Sequence, residues 1–494
     1  MRFLISILWL VVFTKKLLFW VYLWQLKEYH LGRFLDHFRT YKGKKLILNY
    51  FLLGKILILL GIIYTAKQGL AEIKFALVYS VAFIFFVEAL FALRSFWQKT
   101  FKKPVLTQKT AVILSTGISF EILIIFFLFL LEFKLTRFTA SLLLLDILTP
   151  IGFSFLVLFF QPIAVILRNR IIKKAKLKRA RFGNLLVIGI TGSYGKTSTK
   201  EFLATILAEK FKVLKTKEHQ NSEVGISRCI LNNLNEEYDI FVVEMGAYNK
   251  GGIKLLCDIA KPKIGILTGI NEQHMATFGS LENIIKTKYE LIESLPEDGV
   301  AFLNGKNRYC RELFQKINIE KYLYGENAGL GLENIEGAKM VAERLGMTDK
   351  EIFEACKKIK NKIGGFEIKE GVNGLKIVDA TYSANPDGVI LHLEYLKSLP
   401  NKKIIVMPCL IELGKASKKI HERIGEKIAE VCDLAIITTR DRFKEIKKGA
   451  PNALFMEKPA EIVARIKSFA KPGDIILLES RLPAQLVERL TIKQ

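Results

Sequence analysis

The chain has 494 residues, with 74 Lys and Arg against 48 Asp and Glu and a formal net charge of +26. This length predicts about three domains, and six cysteines with no C-x-x-C pair argue against a zinc or disulfide framework. The charge is concentrated, because residues 1–181 carry 27 basic and 7 acidic residues (+20), which leaves 47 against 41 (+6). Since the excess lies in one N-terminal part, no nucleic-acid partner is predicted.

Five apolar segments follow one another in the first third of the chain. Each has about 20 residues, which is the length that a helix needs to cross a bilayer. Thr14-Lys15-Lys16 interrupts the first segment, so that four or five spans stay open. We predict an α-helical transmembrane bundle over residues 1–168. Its segments are Leu4–Trp24, Leu46–Ala66, Phe75–Leu93, Ala111–Phe133 and Leu142–Leu167.

The loops between these segments alternate between rich and poor in Lys and Arg. The positive-inside rule then places the rich loops, and everything after Leu167, in the cytoplasm. Five spans with an outside N-terminus fit this order. The sequence therefore predicts a multi-pass protein of the cytoplasmic membrane whose catalytic part lies in the cytoplasm.

A basic run follows the last segment, and residues 169–182 are predicted to be a juxtamembrane linker. The run is interpreted as a solvated anchor on anionic lipid, with a specific headgroup site as the alternative. Its members are Arg168, Arg170, Lys173, Lys174, Lys176, Lys178, Arg179 and Arg181.

Charged residues also fall inside the apolar segments, at Lys55, Glu88, Glu121 and Asp146. Charges at membrane depth are costly, so they pair with one another or face a polar cavity. The first interpretation is structural pairing, and the second is a polar groove for a lipid-linked molecule.

From residue 183 onward, apolar runs alternate with helical stretches, which predicts an α/β fold with parallel sheets covered on both faces. Gly364-Gly365 follows a helical stretch and precedes a new set of strands. We therefore predict a phosphate-loop ATPase domain over 183–363 and a Rossmann-like C-terminal domain over 364–494. The predicted strands are Leu185–Ile190, Ile240–Val243, Ile264–Leu267, Lys376–Val378, Ile404–Met407, Leu434–Thr438 and Ile475–Leu478.

A Gly-rich loop joins the first of these strands to a helix. In this layout, backbone N–H groups and the helix N-terminus bind phosphate oxygens. Lys196 would reach the β- and γ-phosphates, and the Thr197 hydroxyl would hold Mg²⁺. A Gly-rich turn without a ligand is the alternative. The predicted ATP-binding residues of the loop are Thr191, Gly192, Ser193, Tyr194, Gly195, Lys196, Thr197 and Ser198.

Glu244 ends a buried strand farther along the chain. Parallel sheets place ligand groups at the carboxyl ends of their strands, so Glu244 is a predicted Mg²⁺ ligand.

These motifs together resemble the Mur ligase family, the ATP-dependent amide-forming ligases of peptidoglycan synthesis. The resemblance runs from about Asn184 to the C-terminus and is nearest to the branch that adds D-alanyl-D-alanine to the UDP-muramoyl tripeptide. The motifs that carry it are T-G-S-Y-G-K-T-S-T from Thr191, N-S-E-V-G from Asn221, E-M-G-A from Glu244, His274 with F-G-S, K-Y-E from Lys288, L-E-N-I around Asn334, D-A-T-Y-S-A-N-P from Asp379, and I-E-L-G from Ile411 with His421.

The resemblance implies roles for further residues. His274 and a carbamylated Lys288 would be metal ligands and, with Lys196, catalytic residues. Asn334 and Asp379 would bind ATP. Substrate contacts are implied for Asn221, Ser222, Tyr382 and Asn385.

The resemblance also implies a reaction. A substrate carboxylate would attack the ATP γ-phosphate to give an acyl phosphate, and an amine would then displace phosphate to form an amide. Lys196, Mg²⁺ and the carbamate would supply or position charge, and the C-terminal domain would close over the nucleotide. The expected partners are a cell-envelope precursor, lipid-linked in one version, an amino-acid or dipeptide amine donor, and membrane lipid.

Some positions depart from the family pattern. The usual G-R is Gly364-Gly365, the second Asp of D-D-S-Y is Ala380, and the first Asn of N-A-N-P is Ser383. The membrane region also stands in the place of the family's UDP-substrate domain. The preferred prediction is a membrane-anchored ligase acting on a lipid-linked or otherwise membrane-proximal precursor. The alternatives are a D-alanyl-D-alanine-adding ligase on soluble UDP-muramoyl tripeptide and a catalytically weak nucleotide-binding scaffold for envelope enzymes.

Overall fold

The computed structural model describes residues 1–47, 49–132, 134–217, 220–329, 331–359, 365–382 and 384–492. The chain divides into two compact units, Met1–Arg168 and Asn169–Gln494. Gly364 of the predicted domain boundary, Ser383, and Phe133 at the end of the fourth predicted segment lie outside the described residues.

The first unit is helical, and its first helix, Arg2–Leu26, runs through its core. Trp9 and Trp24 of this helix are fully buried, and their indole N–H groups donate to Leu142 O (3.0 Å) and Ser154 Oγ (3.1 Å) of the helix Leu135–Phe159. Within the described residues, five helical stretches are long and apolar enough to cross a membrane. The helices are α1 (Arg2–Leu26), α2 (Leu31–His37), α3 (Tyr41–Ile47), α4 (Tyr50–Gln68), α5 (Ala71–Trp97), α6 (Gln108–Leu131), α7 (Leu135–Phe159) and α8 (Gln161–Arg179), and α8 crosses into the second unit.

Three of the charged residues inside the predicted apolar segments form ion pairs, namely Lys55, Glu88 and Asp146. Lys55 Nζ lies 2.7 Å from Glu88 Oε2 and 2.6 Å from Asp146 Oδ2, and Lys16 Nζ lies 2.5 Å from Asp146 Oδ1. Thr14 Oγ1 donates to Glu121 Oε2 at 2.9 Å. The predicted structural pairing is therefore confirmed for Lys55, Glu88 and Asp146. The same contacts explain how α1 continues without a break through Thr14 and Lys16.

Two sequence expectations near the unit boundary need correction. The predicted segment Leu142–Leu167 covers the end of α7 and the start of α8, rather than one helix. The basic run is not solvated throughout, because Arg179 is buried and donates to Ala260 O (2.9 Å), Phe182 O (2.7 Å) and Leu185 O (3.2 Å). Ile172 and Ala175 lie in the apolar core on one face of the phosphate-loop domain. This end of α8 therefore packs on that domain.

The phosphate-loop domain is built on a parallel sheet of order β2-β3-β1-β4-β5-β6. Alternate residues of β1 enter opposite cores, Val187 on one face and Ile188 and Ile190 on the other, so helices cover both faces as predicted. The strands are β1 (Leu186–Thr191), β2 (Val213–Lys215), β3 (Ile240–Glu244), β4 (Ile264–Leu267), β5 (Val300–Asn304) and β6 (Glu320–Tyr324). The helices are α9 (Lys196–Leu207), α10 (Glu223–Asn233), α11 (Gly252–Ala260), α12 (Met275–Phe278), α13 (Leu281–Glu293), α14 (Arg308–Phe314), α15 (Glu333–Arg344) and α16 (Asp349–Lys357).

The C-terminal domain has a second sheet, of order β11-β10-β9-β12-β8-β7. β7 pairs antiparallel with β8 and the other pairs are parallel. The strands are β7 (Glu367–Glu370), β8 (Lys376–Ala380), β9 (Lys403–Met407), β10 (Leu434–Ile437), β11 (Leu454–Phe455) and β12 (Ile475–Glu479). The helices are α17 (Pro386–Lys397), α18 (Ser417–Val431), α19 (Phe443–Gly449), α20 (Pro459–Phe469) and α21 (Ala484–Leu490).

Candidate active site

The Gly-rich loop lies between β1 and α9, as predicted, and its glycines are required by close contacts. A Cβ on Gly192 would lie 2.2 Å from Thr268 Oγ1. Gly195 has a φ of 77°, and a Cβ there would lie 2.7 Å from Asn334 Oδ1. Larger residues would displace the neighbouring segments, so the loop has the tight backbone that phosphate binding needs.

Lys196 folds back onto this loop. Its Nζ donates to Gly192 O at 2.8 Å and lies 3.5 Å from Ser193 O. Burial lowers the pKa of Lys196, and the nearby Glu244 carboxylate opposes that shift. A phosphate group would offer this ammonium stronger, charge-assisted partners than the two carbonyls.

Glu244 is buried at the end of β3 and is held at both oxygens. Thr197 Oγ1 donates to Glu244 Oε2 at 2.9 Å, and Asn221 Nδ2 donates to Oε1 at 2.9 Å. Mg²⁺ prefers such hard oxygen donors and usually completes its shell with phosphate oxygens and water. In the described part of the chain no cluster of three or more His, Cys, Asp or Glu side chains could hold a metal. Thr197 and Glu244 nevertheless fit a Mg²⁺ ion shared with a bound nucleotide.

His274 stands in the left-handed region, with φ 64°, directly before α12. Its Nδ1 lies 2.6 Å from Glu412 Oε2 of the C-terminal domain. Its ring is perpendicular to the ring of Tyr248, and the two ring centroids are 4.9 Å apart. Burial lowers the pKa of His274, Glu412 raises it, and the cations of Lys288 and Lys196 lower it further. His274, Lys288 and Lys196 are thus close enough for the charge of one to change the pKa of another.

Lys288 is buried on α13, with an exposed fraction of 4%. Burial and repulsion from Lys196 lower its pKa to about 7, against an opposing pull from Glu290. A large share of Lys288 is therefore an uncharged amine at neutral pH. That is the protonation state that can react with CO₂, so the environment suits the expected carbamate.

Asn334, the predicted nucleotide residue of the central domain, lies against the phosphate loop. Its Oδ1 accepts a hydrogen bond from Thr199 Oγ1 at 3.2 Å, and Gly195 lies beside it. Asn334 thus lies at the start of α15 and next to α9, and its role in binding ATP stays a prediction.

Four other predicted residues differ in their surroundings, and of these Asn385 reaches the segment beside the phosphate loop, because its Oδ1 accepts from Asn271 Nδ2 at 3.4 Å. Asp379 binds Lys369 Nζ (2.6 Å) and Thr381 Oγ1 (2.6 Å). Burial would raise the pKa of Asp379, but these hydrogen bonds outweigh it and hold the pKa below its ordinary value. Ser222 and Asn385 cap α10 and α17, accepting from Gly225 N (3.3 Å) and Gly388 N (2.8 Å), and Tyr382 is 59% exposed. Among the described residues, the side chain of Asp379 makes no hydrogen bond or ion pair with the phosphate loop.

Residues after β4 connect the phosphate loop to the C-terminal domain, and the sequence motifs predict no role for Asn271 or Gln273. Asn271 N donates to Ser193 Oγ at 3.1 Å, and Asn271 Nδ2 donates to Asp387 Oδ2 at 3.1 Å. Gln273 Nε2 donates to Ala384 O at 3.3 Å. A signal was available, because polar side chains directly follow a buried strand here, as they do at Glu244.

Comparison with known proteins assigns both domains of the second unit. Residues 190–368 match the Mur ligase middle domain, and residues 364–482 match the Mur ligase glutamate ligase domain. The UDP-N-acetylmuramoyl-tripeptide–D-alanyl-D-alanine ligase of Synechocystis is 28% identical over 334 residues, which cover 61% of this chain and 73% of that protein. The ligase of the same name from Borreliella burgdorferi is 32% identical over 320 residues, or 57% of this chain and 66% of that one.

A solved structure of a Mur ligase is similar to this chain as well. The crystal structure of MurF ligase from Thermotoga maritima in complex with ADP has a TM-score of 0.59 and 28% identity, and the match covers 65% of this chain and 83% of that chain. Structure I of MurF from Acinetobacter baumannii, at 22% identity and a TM-score of 0.58, is similar in fold.

Proposed function

Because this chain belongs to the Mur ligase family of ATP-dependent ligases, we propose that it joins D-alanyl-D-alanine to the tripeptide of UDP-N-acetylmuramoyl tripeptide. We also propose that the apolar helices of residues 1–168 hold it in the cytoplasmic membrane. The relatives support this soluble acceptor better than the lipid-linked acceptor that was preferred from sequence.

One observation carries the proposal. The Thr197 hydroxyl donates to the Glu244 carboxylate at 2.9 Å beside the phosphate loop, at the edge of the sheet where Lys196 is half-buried. This pair suits a nucleotide with its Mg²⁺, and the neighbouring ammonium of Lys196 suits anionic reactants.

The reaction divides between the two domains. The acceptor carboxylate forms a bond to the ATP γ-phosphorus while the bond to ADP breaks, and Lys196 neutralises charge on the transferred group. The amine of the donor then forms a bond to the acyl carbon, phosphate leaves, and the amine loses a proton. Bound Mg²⁺, held by Thr197 and Glu244, would neutralise the triphosphate. Asn271 and Gln273, which reach the C-terminal domain, would position the two halves of the site.

A second candidate keeps the chemistry and changes the acceptor to a lipid-linked muramoyl peptide. It is supported by the order of the chain, because the five apolar helical stretches precede the part that matches the family. An acceptor embedded in the same bilayer would be presented at a high effective concentration.

The test uses the full chain in lipid nanodiscs with ATP, Mg²⁺ and D-alanyl-D-alanine. UDP-N-acetylmuramoyl tripeptide and its lipid-linked counterpart are supplied separately, with Lys196→Ala as the matched inactive variant. We expect ADP release and an amide product of the correct mass with the UDP-linked acceptor. Turnover confined to the lipid-linked acceptor would support the second candidate. ADP binding without turnover on either acceptor would support the scaffold alternative and contradict both.

A further inference from the structure

Lys200 is a buried lysine for which the proposed reaction has no use. It lies on α9, one turn after Lys196, and its side chain is fully buried. Its Nζ lies 3.1 Å from Glu201 Oε1 and 3.6 Å from Glu244 Oε2, yet it makes no hydrogen bond within the described residues. Burying an ammonium is expensive unless neighbouring charges compensate it, so these two carboxylates account for its position.

The two carboxylates differ in their surroundings. Glu244 is buried, and it accepts hydrogen bonds from Thr197 and Asn221 in addition to its ion pair with Lys200. Glu201 is 41% exposed at its side chain and also pairs with Lys215. Lys200 therefore lies between the buried Glu244 carboxylate, at the proposed metal position, and the more exposed Glu201 carboxylate. Glu201 can form the stronger ion pair with Lys200 when Glu244 binds a cation.

We propose that Lys200 is a positioning residue that acts as the internal counter-ion of Glu244 and sets the affinity of the site for a divalent cation. Without the cation, its ammonium balances the charge of the Glu244 carboxylate and holds it in place. A cation bound at the Thr197–Glu244 pair is repelled by the Lys200 ammonium. Glu201 then replaces Glu244 as the carboxylate that stabilises this ammonium. The inference rests on the proposed use of Thr197 and Glu244 as Mg²⁺ ligands.

The inference predicts opposite effects from two substitutions. Lys200→Met keeps the length of the side chain and removes the opposing charge, so it should tighten cation binding. Glu201→Gln removes the alternative partner and leaves Lys200 to Glu244, so it should weaken cation binding. Lys215→Met is the matched control, because Lys215 shares Glu201 but is not an ion-pair partner of Glu244.

The experiment measures Mn²⁺ affinity by electron paramagnetic resonance on the full chain in nanodiscs with saturating ADP. We expect about five-fold tighter binding for Lys200→Met, about three-fold weaker binding for Glu201→Gln, and a change below about two-fold for Lys215→Met. A folded Lys200→Met protein with unchanged or weaker Mn²⁺ affinity would overturn the proposal.

Three further outcomes are distinguishable. If Lys200→Met does not fold, unchanged affinity in the surface variant Glu201→Gln overturns the inference by itself. If the wild-type chain binds neither ADP nor Mn²⁺, the proposed function fails. Normal wild-type binding with no effect of either substitution would remove only the role of Lys200.

Discussion

His274 Nδ1 lies 2.6 Å from Glu412 Oε2, and this contact joins two domains across 138 positions of the chain. The backbone supports it, because Ala276 N donates to Glu412 O at 3.0 Å. The family resemblance implies that the His274 imidazole binds a metal. Its Nδ1 is already taken up by the contact with Glu412. A metal at His274 would therefore bind the other ring nitrogen or require this contact to be released.

The first prediction concerns this contact. Glu412→Gln should lower kcat about ten-fold and leave ADP affinity unchanged, because a charge-assisted hydrogen bond between the domains becomes a neutral one. Stopped-flow turnover and equilibrium ADP binding measure the two quantities. Glu426→Gln, an exposed position of the same domain, is the control. Equal losses of kcat and ADP affinity would contradict a role in joining the domains.

Sequence patterns located β1, β3 and β4 nearly to the residue, because these strands are buried apolar runs. They missed β2, which has three residues, and β6, an edge strand that begins Glu320-Lys321 and lacks an apolar run. β5 was also missed, although it is a buried run of five residues.

The candidate site was predictable where its residues are close in sequence or at strand ends. The phosphate loop, Thr197 and Glu244 follow local rules and were found, as was their neighbour Asn334 through the family resemblance. The contacts of His274 with Glu412 and of Asn271 with Asp387 were not, because they join separate domains and depend on how the two pack. The burial of Arg179 left a signal, since Ile172, Ala175 and Arg179 share one helix face at spacings of three and four.

The second prediction concerns the phosphate loop. Lys196→Ala should abolish ATP-dependent product formation, because the transferred phosphate loses its charge-assisted partner. Thr197→Ala should instead raise the Mg²⁺ concentration that gives half-maximal activity by about ten-fold, since one oxygen ligand is lost. Product formation across a Mg²⁺ titration measures both effects. Wild-type turnover in Lys196→Ala would contradict the ligase mechanism.

The third prediction concerns the pH dependence of Lys288. Its unprotonated fraction should rise from about one tenth at pH 6 to about nine tenths at pH 8, because burial and Lys196 lower its pKa to about 7. The free amine adds to CO₂ and releases a proton, so carbamate should form above pH 7 and be lost below it. ¹³C NMR at fixed dissolved ¹³CO₂ measures the carbamate, and Lys288→Ala is the control. An unmodified Lys288 at pH 8 would contradict this role.

The same modification predicts a chemical rescue. Lys288→Ala should lose activity, and short carboxylic acids should restore part of it by supplying the missing anion. Lys286→Ala, an exposed neighbour on α13, should retain activity. No rescue together with a normal Lys286→Ala protein would indicate a role for Lys288 other than carrying a carbamate.

The fourth prediction concerns Gly365, where the family has arginine. Gly365 adopts a φ of 83°, a left-handed conformation that other residues take at a cost. Gly365→Arg should therefore lower the free energy of unfolding by about 1–2 kcal/mol without tightening ADP binding. Gly183→Arg is the control, because nothing lies within 4 Å of a Cβ at that position. Tighter ADP binding by Gly365→Arg would mean that the glycine replaces a functional contact.

The last prediction tests the two interpretations of the buried charges in the helical unit. Asp146 accepts from both Lys16 and Lys55, so Asp146→Asn leaves two ammonium groups with Glu88 as their remaining carboxylate. Breaking a buried ion network in this way costs about 3–5 kcal/mol, and the melting temperature in nanodiscs should fall. Asp146→Asn combined with Lys16→Met removes the surplus charge and should recover part of that loss. Because these contacts already satisfy the charges, KM for the acceptor should not change. A variant that keeps its melting temperature but has a ten-fold higher KM for a lipid-linked acceptor would instead identify the network as part of an acceptor groove.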